Sequence, residues 1–303
     1  MVSVVGCLDI GTLSVLLAVG ERASDGRLVV RHEGSRVVRL GEGLAKTGRL
    51  SDEAMRRTLD AIRELAADAR KRGAVLVTGA GTAAMRDAAN AADLVARARR
   101  EADVEIEVID AGREAALSLA GVRTGGLDAD WLAVVDVGGG SAEITVEVDG
   151  GAPWTRSLPL GALRLAARFD ERDRDAIAHH VSGRLPEWPS SRPATNHTPC
   201  GIGGTITTLA ALDLDLTPYD PRRIEGHVLS RERIGEMRDR LAATSLSARR
   251  RDPILESGRA DVIVHGAIVY EAVLDRYGWD AIEISPRGLR EGLLAERLSE
   301  VGG

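Results

Sequence analysis

Lysine is almost missing from this chain of 303 residues: among its 40 basic side chains only Lys46 and Lys71 are lysine, and the rest are arginine. A phosphate loop of the GxxxxGK[ST] type needs glycines ahead of a Lys that is followed by Ser or Thr. Lys46 precedes Thr47 without those glycines and Lys71 precedes Arg72, so Walker-type NTPases are excluded. Both lysines stand in polar surroundings, which argues against a desolvated Schiff-base amine. An anion bound here must be held mainly by arginine, by backbone N–H groups or by metal. Cysteine is scarce as well. Cys7 and Cys200 are far apart, with no CxxC spacing and no Cys/His cluster, which fits a reducing cytoplasm and no structural zinc. Apolar runs such as Val15 to Val19 fall far short of a membrane span, and no basic segment follows Met1, so neither a transmembrane helix nor a signal peptide is expected. With 46 acidic residues the formal charge is −6. Such a chain has no global field to gather nucleic acid or anionic lipid, and neither is expected as a partner.

What is present describes an ordinary globular protein, 44% hydrophobic and 28% charged, long enough for about two domains. Val2 to Leu8 and Leu13 to Val19 read as two strands around a tight turn, with Arg27 to Arg31 and Arg36 to Leu40 as further short strands. Ser51 caps a helix with Asp52 and Glu53 in its first turn, Met55, Leu59, Ile62 and Leu65 along one face, and Gly73 beyond its end. Ala74 to Val77 reads as a strand, Ala88 to Arg100 as a helix, Val104 to Ile109 as a strand and Glu114 to Ala120 as a helix. This alternation argues for an α/β layer with a partly parallel sheet. The opening pattern then restarts, with strands Trp131 to Val135 and Glu143 to Val148 around a second Asp-x-Gly turn, about 127 residues after the first. The echo places a boundary near Arg123 to Asp130, giving domains 1–125 and 126–303. The proline-rich Glu187 to Pro199 is the clearest loop, and helices follow from Thr205 and over Ser230 to Ala243, Arg259 to Tyr277 and Leu289 to Leu298, with a strand at Ala281 to Ile284.

Three glycine-rich turns follow apolar strands: Asp9-Ile10-Gly11-Thr12, Asp136-Val137-Gly138-Gly139-Gly140-Ser141 and Gly201-Ile202-Gly203-Gly204-Thr205. Glycines let the backbone approach a phosphate, and successive N–H groups supply the attraction that lysine does not. A single such turn is most often only a hairpin; three of them, two led by Asp and all closing with a hydroxyl, point to phosphate binding. Asp9 and Asp136 end strands where a carboxylate can hold Mg²⁺ through water, because Mg²⁺ favours few carboxylates plus substrate oxygens.

The order of blocks CLDIGTLSVLL, LGEGLAKTGRLS, GTAAMRDAAN, VIDAGREAALSLAGV, VVDVGGGSAEI, SLPLGALRL, GIGGTITTLAALDL, GHVLS and ISPRGLREGLL resembles the exopolyphosphatase and guanosine pentaphosphate phosphohydrolase family, a branch of the superfamily of actin, sugar kinases and heat-shock ATPases. The blocks run from Asp9 to Leu294. The resemblance implies an α/β fold of two actin-like (ribonuclease H-like) domains, each a mixed sheet flanked by helices, with an interdomain cleft. It also implies Mg²⁺-dependent release of terminal phosphate from inorganic polyphosphate. Carried over position by position, the catalytic glutamate that polarises or deprotonates water falls on Glu114, and the metal-site and water-orienting acids fall on Asp136 and Glu143. The phosphate-binding arginine falls on Arg86. The phosphate cradle falls on Asp9, Gly11, Thr12 and Ser14, on Gly138, Gly139, Gly140 and Ser141, and on Gly203, Gly204 and Thr205.

Two positions depart from the family pattern. Leu13 stands where the first turn usually carries Asn, which removes a donor near the phosphate. Arg113 precedes Glu114 where an acid is usual, so Arg113 either lowers the pKa of Glu114 or helps recruit a polyanion. Guanosine pentaphosphate and a non-catalytic polyphosphate or nucleotide sensor remain alternatives, with an ATP-dependent kinase further behind. The chain ends at Gly303 just after GLREGLL and its histidines form no His-Asp pair, so shorter polyphosphates are the expected substrates. Arg97 to Arg100 and Arg249 to Arg251 are either polyanion tracks or, more commonly, solvated faces. The oligomeric state is open, a homodimer included.

Overall fold

The computed structural model describes residues 3–127, 129–188 and 198–301. Two compact units form, Met1–Leu127 with Arg287–Gly303, and Asp128–Pro286. The chain therefore crosses between units twice, whereas the sequence suggested one boundary at 125/126. Most of the expected loop Glu187 to Pro199, residues 189–197, lies outside the described residues.

In the first unit β1 (Val4–Ile10), β2 (Ser14–Arg22) and β3 (Leu28–Val37) form an antiparallel meander. The short helix α1 (Leu44–Thr47) and the long α2 (Asp52–Lys71) lead to β4 (Ala74–Gly81), α3 (Ala83–Asp87), α4 (Ala91–Ala102), β5 (Glu105–Val108) and α5 (Ala111–Arg123). The sheet order is β3-β2-β1-β4-β5, with β4 parallel to β1 and β5 parallel to β4. Ser51 caps α2 by accepting from the Ala54 N–H, and Met55, Leu59, Ile62 and Leu65 are buried along its inner face. Two expectations change. Residues 28–37 make one strand rather than two. The helix expected over Ala88 to Arg100 forms but starts at Ala91, because Ala88 is extended and the Asn90 side-chain amide bonds both backbone groups of buried Leu50, at 2.8 and 3.0 Å.

The second unit repeats the plan. β6 (Trp131–Val137), β7 (Ala142–Val148) and β8 (Trp154–Leu158) form a meander, followed by α6 (Ala162–Ala166), α7 (Arg174–Ser182), β9 (Cys200–Ile202), α8 (Gly204–Asp213), α9 (Pro221–Ile224), β10 (His227–Ser230), α10 (Arg231–Ala243), α11 (Leu246–Arg249), a 3₁₀ turn at 257–259, α12 (Ile263–Tyr277) and β11 (Ala281–Ile284). The order β10-β11-β9-β6-β7-β8 matches the first sheet read backwards, with β10 as an added edge. β8 was not visible in the sequence, and the helix expected from Arg259 begins at Ile263. Every aromatic residue of the chain lies in this unit, so the first core is built from aliphatic side chains alone.

The last helix, α13 (Leu289–Val301), returns to the first unit and packs on β1, β2 and α5. Its approach to α5 is backbone to backbone: a Cβ at Gly121 would overlap the Gly288 carbonyl, and one at Gly292 would overlap the Leu117 carbonyl. Glu291 closes the helix start by accepting from the Gly288 N–H at 2.8 Å and from Arg290 at 2.6 Å. Among the described residues no helix is long and apolar enough to cross a membrane.

Candidate active site

The two Asp-x-Gly hairpins close with the same bond at the same spacing. Gly11 N–H donates to Ser14 O at 2.9 Å, and Gly138 N–H donates to Ser141 O at 3.0 Å. In the first unit Thr12 and Ser14 are buried, and the Thr12 carbonyl accepts from Gly41, where a side chain would overlap the Thr12 methyl. The LGEG block is therefore a lid of backbone over the first turn. Leu13 is buried too, and its carbonyl accepts from Val38 at 2.9 Å and Arg39 at 2.8 Å. An apolar side chain at this departure from the family pattern fits that packed setting.

Glu114 sits in the first turn of α5, where Asp110 caps the helix by accepting from the Arg113 N–H at 2.8 Å. Its carboxylate is buried and bonds Arg86 of α3 at 2.5 Å, while the same guanidinium nitrogen donates to Ile109 O at 3.1 Å. Burial pushes the Glu114 pKa above the ordinary carboxylate value, and Arg86 opposes that shift. The expectation that Arg113 lowers it does not hold. Arg113 turns to Glu296 on α13 and its guanidinium is engaged there. Arg86 and Glu114, named separately in the sequence as phosphate ligand and base, are thus one ion pair.

In the second unit Asp136 and Glu143 are directly opposed across β6 and β7, which puts both carboxylates on the same face of the sheet. Glu143 is buried and accepts from the Ser157 hydroxyl of β8 at 2.6 Å. The Asp136 carboxylate also fills the space where a Cβ on Gly203 would stand, and Gly203 has φ +87°, so glycine is required there on two counts. At the next residue a Cβ on Gly204 would overlap the guanidinium of Arg259, which therefore lies directly on the turn that opens α8. The Gly138–Gly140 turn is held by α6: Ala162 N–H donates to Gly138 O at 2.9 Å, Leu163 N–H to Gly139 O at 3.0 Å, and Arg164 Nε to Gly140 O at 2.8 Å. Thr205 is buried with its hydroxyl against Gly266 of α12, so this side chain packs rather than pointing outward. Beneath both turns lies the fully buried Tyr270. Its hydroxyl accepts from Val137 N–H at 3.3 Å and faces the carbonyls of Val135, at 3.2 Å, and Ile202, tying β6 to β9.

Each unit carries parts suited to phosphate chemistry: the first a glycine turn and a buried carboxylate–arginine pair at a helix start, the second two glycine turns, opposed carboxylates and arginines. Residues 21–301 match the Ppx/GppA phosphatase family. The chain belongs to that family. Exopolyphosphatase 2 of Mycobacterium tuberculosis is 32% identical over 95% of this chain and 97% of its own length, and exopolyphosphatase 1 of Mycobacterium bovis is 30% identical over 98% and 89%. The fold matches the crystal structure of the Ppx/GppA protein of Aquifex aeolicus, with TM-score 0.78, 29% identity and complete coverage of both chains, and that of an exopolyphosphatase from Cytophaga hutchinsonii, with TM-score 0.87, 27% identity and 98% of each chain covered.

Within this Ppx/GppA chain, several residues that shape the site escaped the sequence reading. Arg164, Ser157 and Tyr270 touch the turns or acids only through folding, and Arg259 lies 55 positions from the glycine it covers. The SLPLGALRL block, conspicuous in the sequence without an assigned role, turns out to support the Gly138–Gly140 turn. Conversely, the arginine run 97–100 is absorbed by Glu101 and Glu105, and Arg249 is buried against Glu171.

Proposed function

We propose that this chain is an exopolyphosphatase that hydrolyses the terminal phosphoanhydride of inorganic polyphosphate. The observation that carries the reading is Glu114: a buried carboxylate, raised in pKa by burial yet kept beside a guanidinium, at the start of a helix. Such a group accepts a proton from water readily once that water attacks phosphorus. In the reaction the water oxygen bonds to the terminal phosphorus, the bridging P–O bond breaks, and the shortened chain departs with the electron pair. Glu114 takes the proton of the water and passes it on to the phosphate products. In the first unit Arg86 has N–H groups left for phosphate oxygens beside the Gly11 turn, and in the second the turns around Gly138 and Gly203 carry backbone N–H groups suited to the same chemistry.

Mg²⁺ is the metal we assign to Asp136 and Glu143. The donor set fits, because Mg²⁺ takes few carboxylates and completes its shell with waters and phosphate oxygens, and Asp136 and Glu143 are opposed on one sheet face beside a glycine turn. No cluster of three or more His, Cys, Asp or Glu side chains exists among the described residues to form an all-protein cage. When bound, the ion supplies charge neutralisation to the phosphates. The buried, unpaired Cys7 and Cys200 favour a reducing cytoplasm for the enzyme.

The test is phosphate release from polyphosphates of defined length and from guanosine pentaphosphate, with and without Mg²⁺. We expect release from polyphosphate, its loss on chelation, and a fall of about 10²–10⁴ in kcat for Glu114→Gln. Faster turnover of guanosine pentaphosphate reassigns the substrate. Tight binding without release makes the protein a sensor, and an undiminished Glu114→Gln refutes the role of Glu114.

A further inference from the structure

Many arginines in this protein have a carboxylate partner, and among the described residues of the second unit Arg168 and Arg184 are two that do not. Arg168 follows α6 one helical turn after Arg164, whose Nε holds the Gly140 carbonyl, so the two lie roughly 6 Å apart along the helix direction. The Arg168 guanidinium lies over the Phe169 ring, 5.2 Å from its centroid, and the His180 ring of α7 meets Phe169 edge-on at 4.9 Å. Arg184 bonds both the Nδ1 and the carbonyl oxygen of His180, at 3.0 and 3.1 Å. Accepting at Nδ1 requires the neutral tautomer with its proton on Nε2, which leaves Nε2–H as an outward donor. Burial and the two nearby guanidiniums hold the imidazole below its ordinary pKa, consistent with that tautomer.

Two acids of the neighbouring loop are already engaged, while a third, Asp173, precedes α7 without a side-chain cap bond. Asp170 is chelated by Arg172 and Glu171 by buried Arg249, while Asp239 on α10 takes Arg174. Among the described residues neither Arg168 nor Arg184 has a carboxylate within ion-pair distance. Two guanidiniums without a carboxylate partner and an N–H donor are thereby gathered around Phe169 and His180 in a chain that is net acidic, four positions along from an arginine docked on a glycine turn. The base of the group is also fixed, since Phe169 O accepts from His265 Nε2 at 3.0 Å. Anchored guanidiniums lose less freedom on binding than free surface side chains do.

We propose that Arg168, His180 and Arg184 form an additional binding site for the phosphate groups of a polyphosphate chain, beyond the Gly138–Gly140 turn. The proposal rests on the exopolyphosphatase reading for its substrate. The site takes a flexible polyanion of repeated phosphates and adds affinity only to chains long enough to reach it.

The experiment compares the wild type with Arg168→Gln, Arg184→Gln and their double variant on tripolyphosphate and on long-chain polyphosphate. For the double variant, KM for the long chain is expected to rise about tenfold with kcat unchanged, while both constants for tripolyphosphate stay at wild-type values. The dependence of the long-chain KM on salt should flatten, because fewer counterions are released on binding. Replacement of both arginines by lysine should restore much of the loss. An unchanged long-chain KM, or an equal rise for tripolyphosphate, overturns the site. If the wild type releases phosphate from neither polymer, the catalytic reading fails separately. Calorimetric binding of long-chain polyphosphate to wild type and double variant then decides: weaker binding by the variant supports the site, and equal binding overturns it.

Discussion

Replacing Arg86 by Met should destabilise the first unit in a pH-dependent way that reports directly on the Arg86–Glu114 pair. The wild-type carboxylate has 9% of its side chain exposed and the guanidinium 20%, so solvent does little to screen either. Removing one partner of a buried pair leaves an uncompensated charge and typically costs about 3–5 kcal/mol. Loss of the bond to Ile109 O adds about 1 kcal/mol that does not depend on pH. In the variant Glu114 loses the influence that opposed burial, so its folded pKa rises further above the model-compound value of 4.5. Between that value and the folded pKa the native state holds a proton that the unfolded chain has released, so stability falls as pH rises. Within that window the loss accrues at about 1.4 kcal/mol per pH unit. The variant should therefore approach wild type, short by about 1 kcal/mol, near pH 4.5, and fall progressively behind towards pH 8. Urea unfolding followed by far-UV circular dichroism at several pH values measures this. Tryptophan fluorescence provides an internal control, since all four tryptophans lie in the second unit. The double variant Arg86→Met/Glu114→Gln should recover most of the neutral-pH loss, because no buried charge remains. A cost below about 1 kcal/mol at every pH, or a cost of the same size at pH 4.5 and pH 8, refutes the buried-pair account.

Other consequences follow from the packing. Gly292→Ala should lose about 1–3 kcal/mol in thermal unfolding, because its methyl meets the Leu117 carbonyl and forces α13 from α5. Helix propensity alone would favour alanine by about 1 kcal/mol, so a variant as stable as wild type contradicts the close contact. Tyr270→Phe should cost about 1–3 kcal/mol, read by tryptophan fluorescence, since the Val137 N–H loses its buried partner. Burial raises the Tyr270 pKa well above its ordinary value, so this cost should be flat between pH 6 and pH 9; a steep pH dependence would contradict it. Burial likewise raises the thiol pKa values of Cys7 and Cys200. A thiol-reactive dye at pH 8 should label neither in the native protein and both in urea, and rapid native labelling would show that one of them is accessible.

Much of the fold was legible because it depends on neighbours in sequence. The two hairpins, the capped helix over 52–71 and the helix carrying Glu114 follow from period, caps and glycine turns, and the structure contains each of them. The errors have long-range causes. The helix expected from Ala88 starts only after Asn90, because Leu50, 40 residues away, offers both of its backbone groups to that side chain. The last helix leaves the domain it follows in sequence because Gly288 and Gly292 allow it to approach Gly121. Arg113 stands next to Glu114 in the chain yet ends at Glu296, while Arg86, 28 positions away, reaches the carboxylate.

The near absence of lysine, the three glycine turns and the acids at Asp136 and Glu143 were set by the sequence alone, since each is a matter of residue identity or of bonds within a few positions. Together they excluded a lysine-based phosphate loop and pointed to backbone, arginine and metal as the groups that would meet a phosphate. Only the tertiary structure decided which arginines are available for that work. Arg249 is buried against Glu171, whereas Arg86 keeps N–H groups beyond its bond to Glu114, Arg259 covers Gly204 while bound to Glu256, and Arg168 and Arg184 have no carboxylate within ion-pair distance among the described residues. With so many arginines in one chain, charge says little by itself. A guanidinium's role depends on whether folding brings a carboxylate within reach, and that is fixed by chain closure over tens of residues rather than by local pattern.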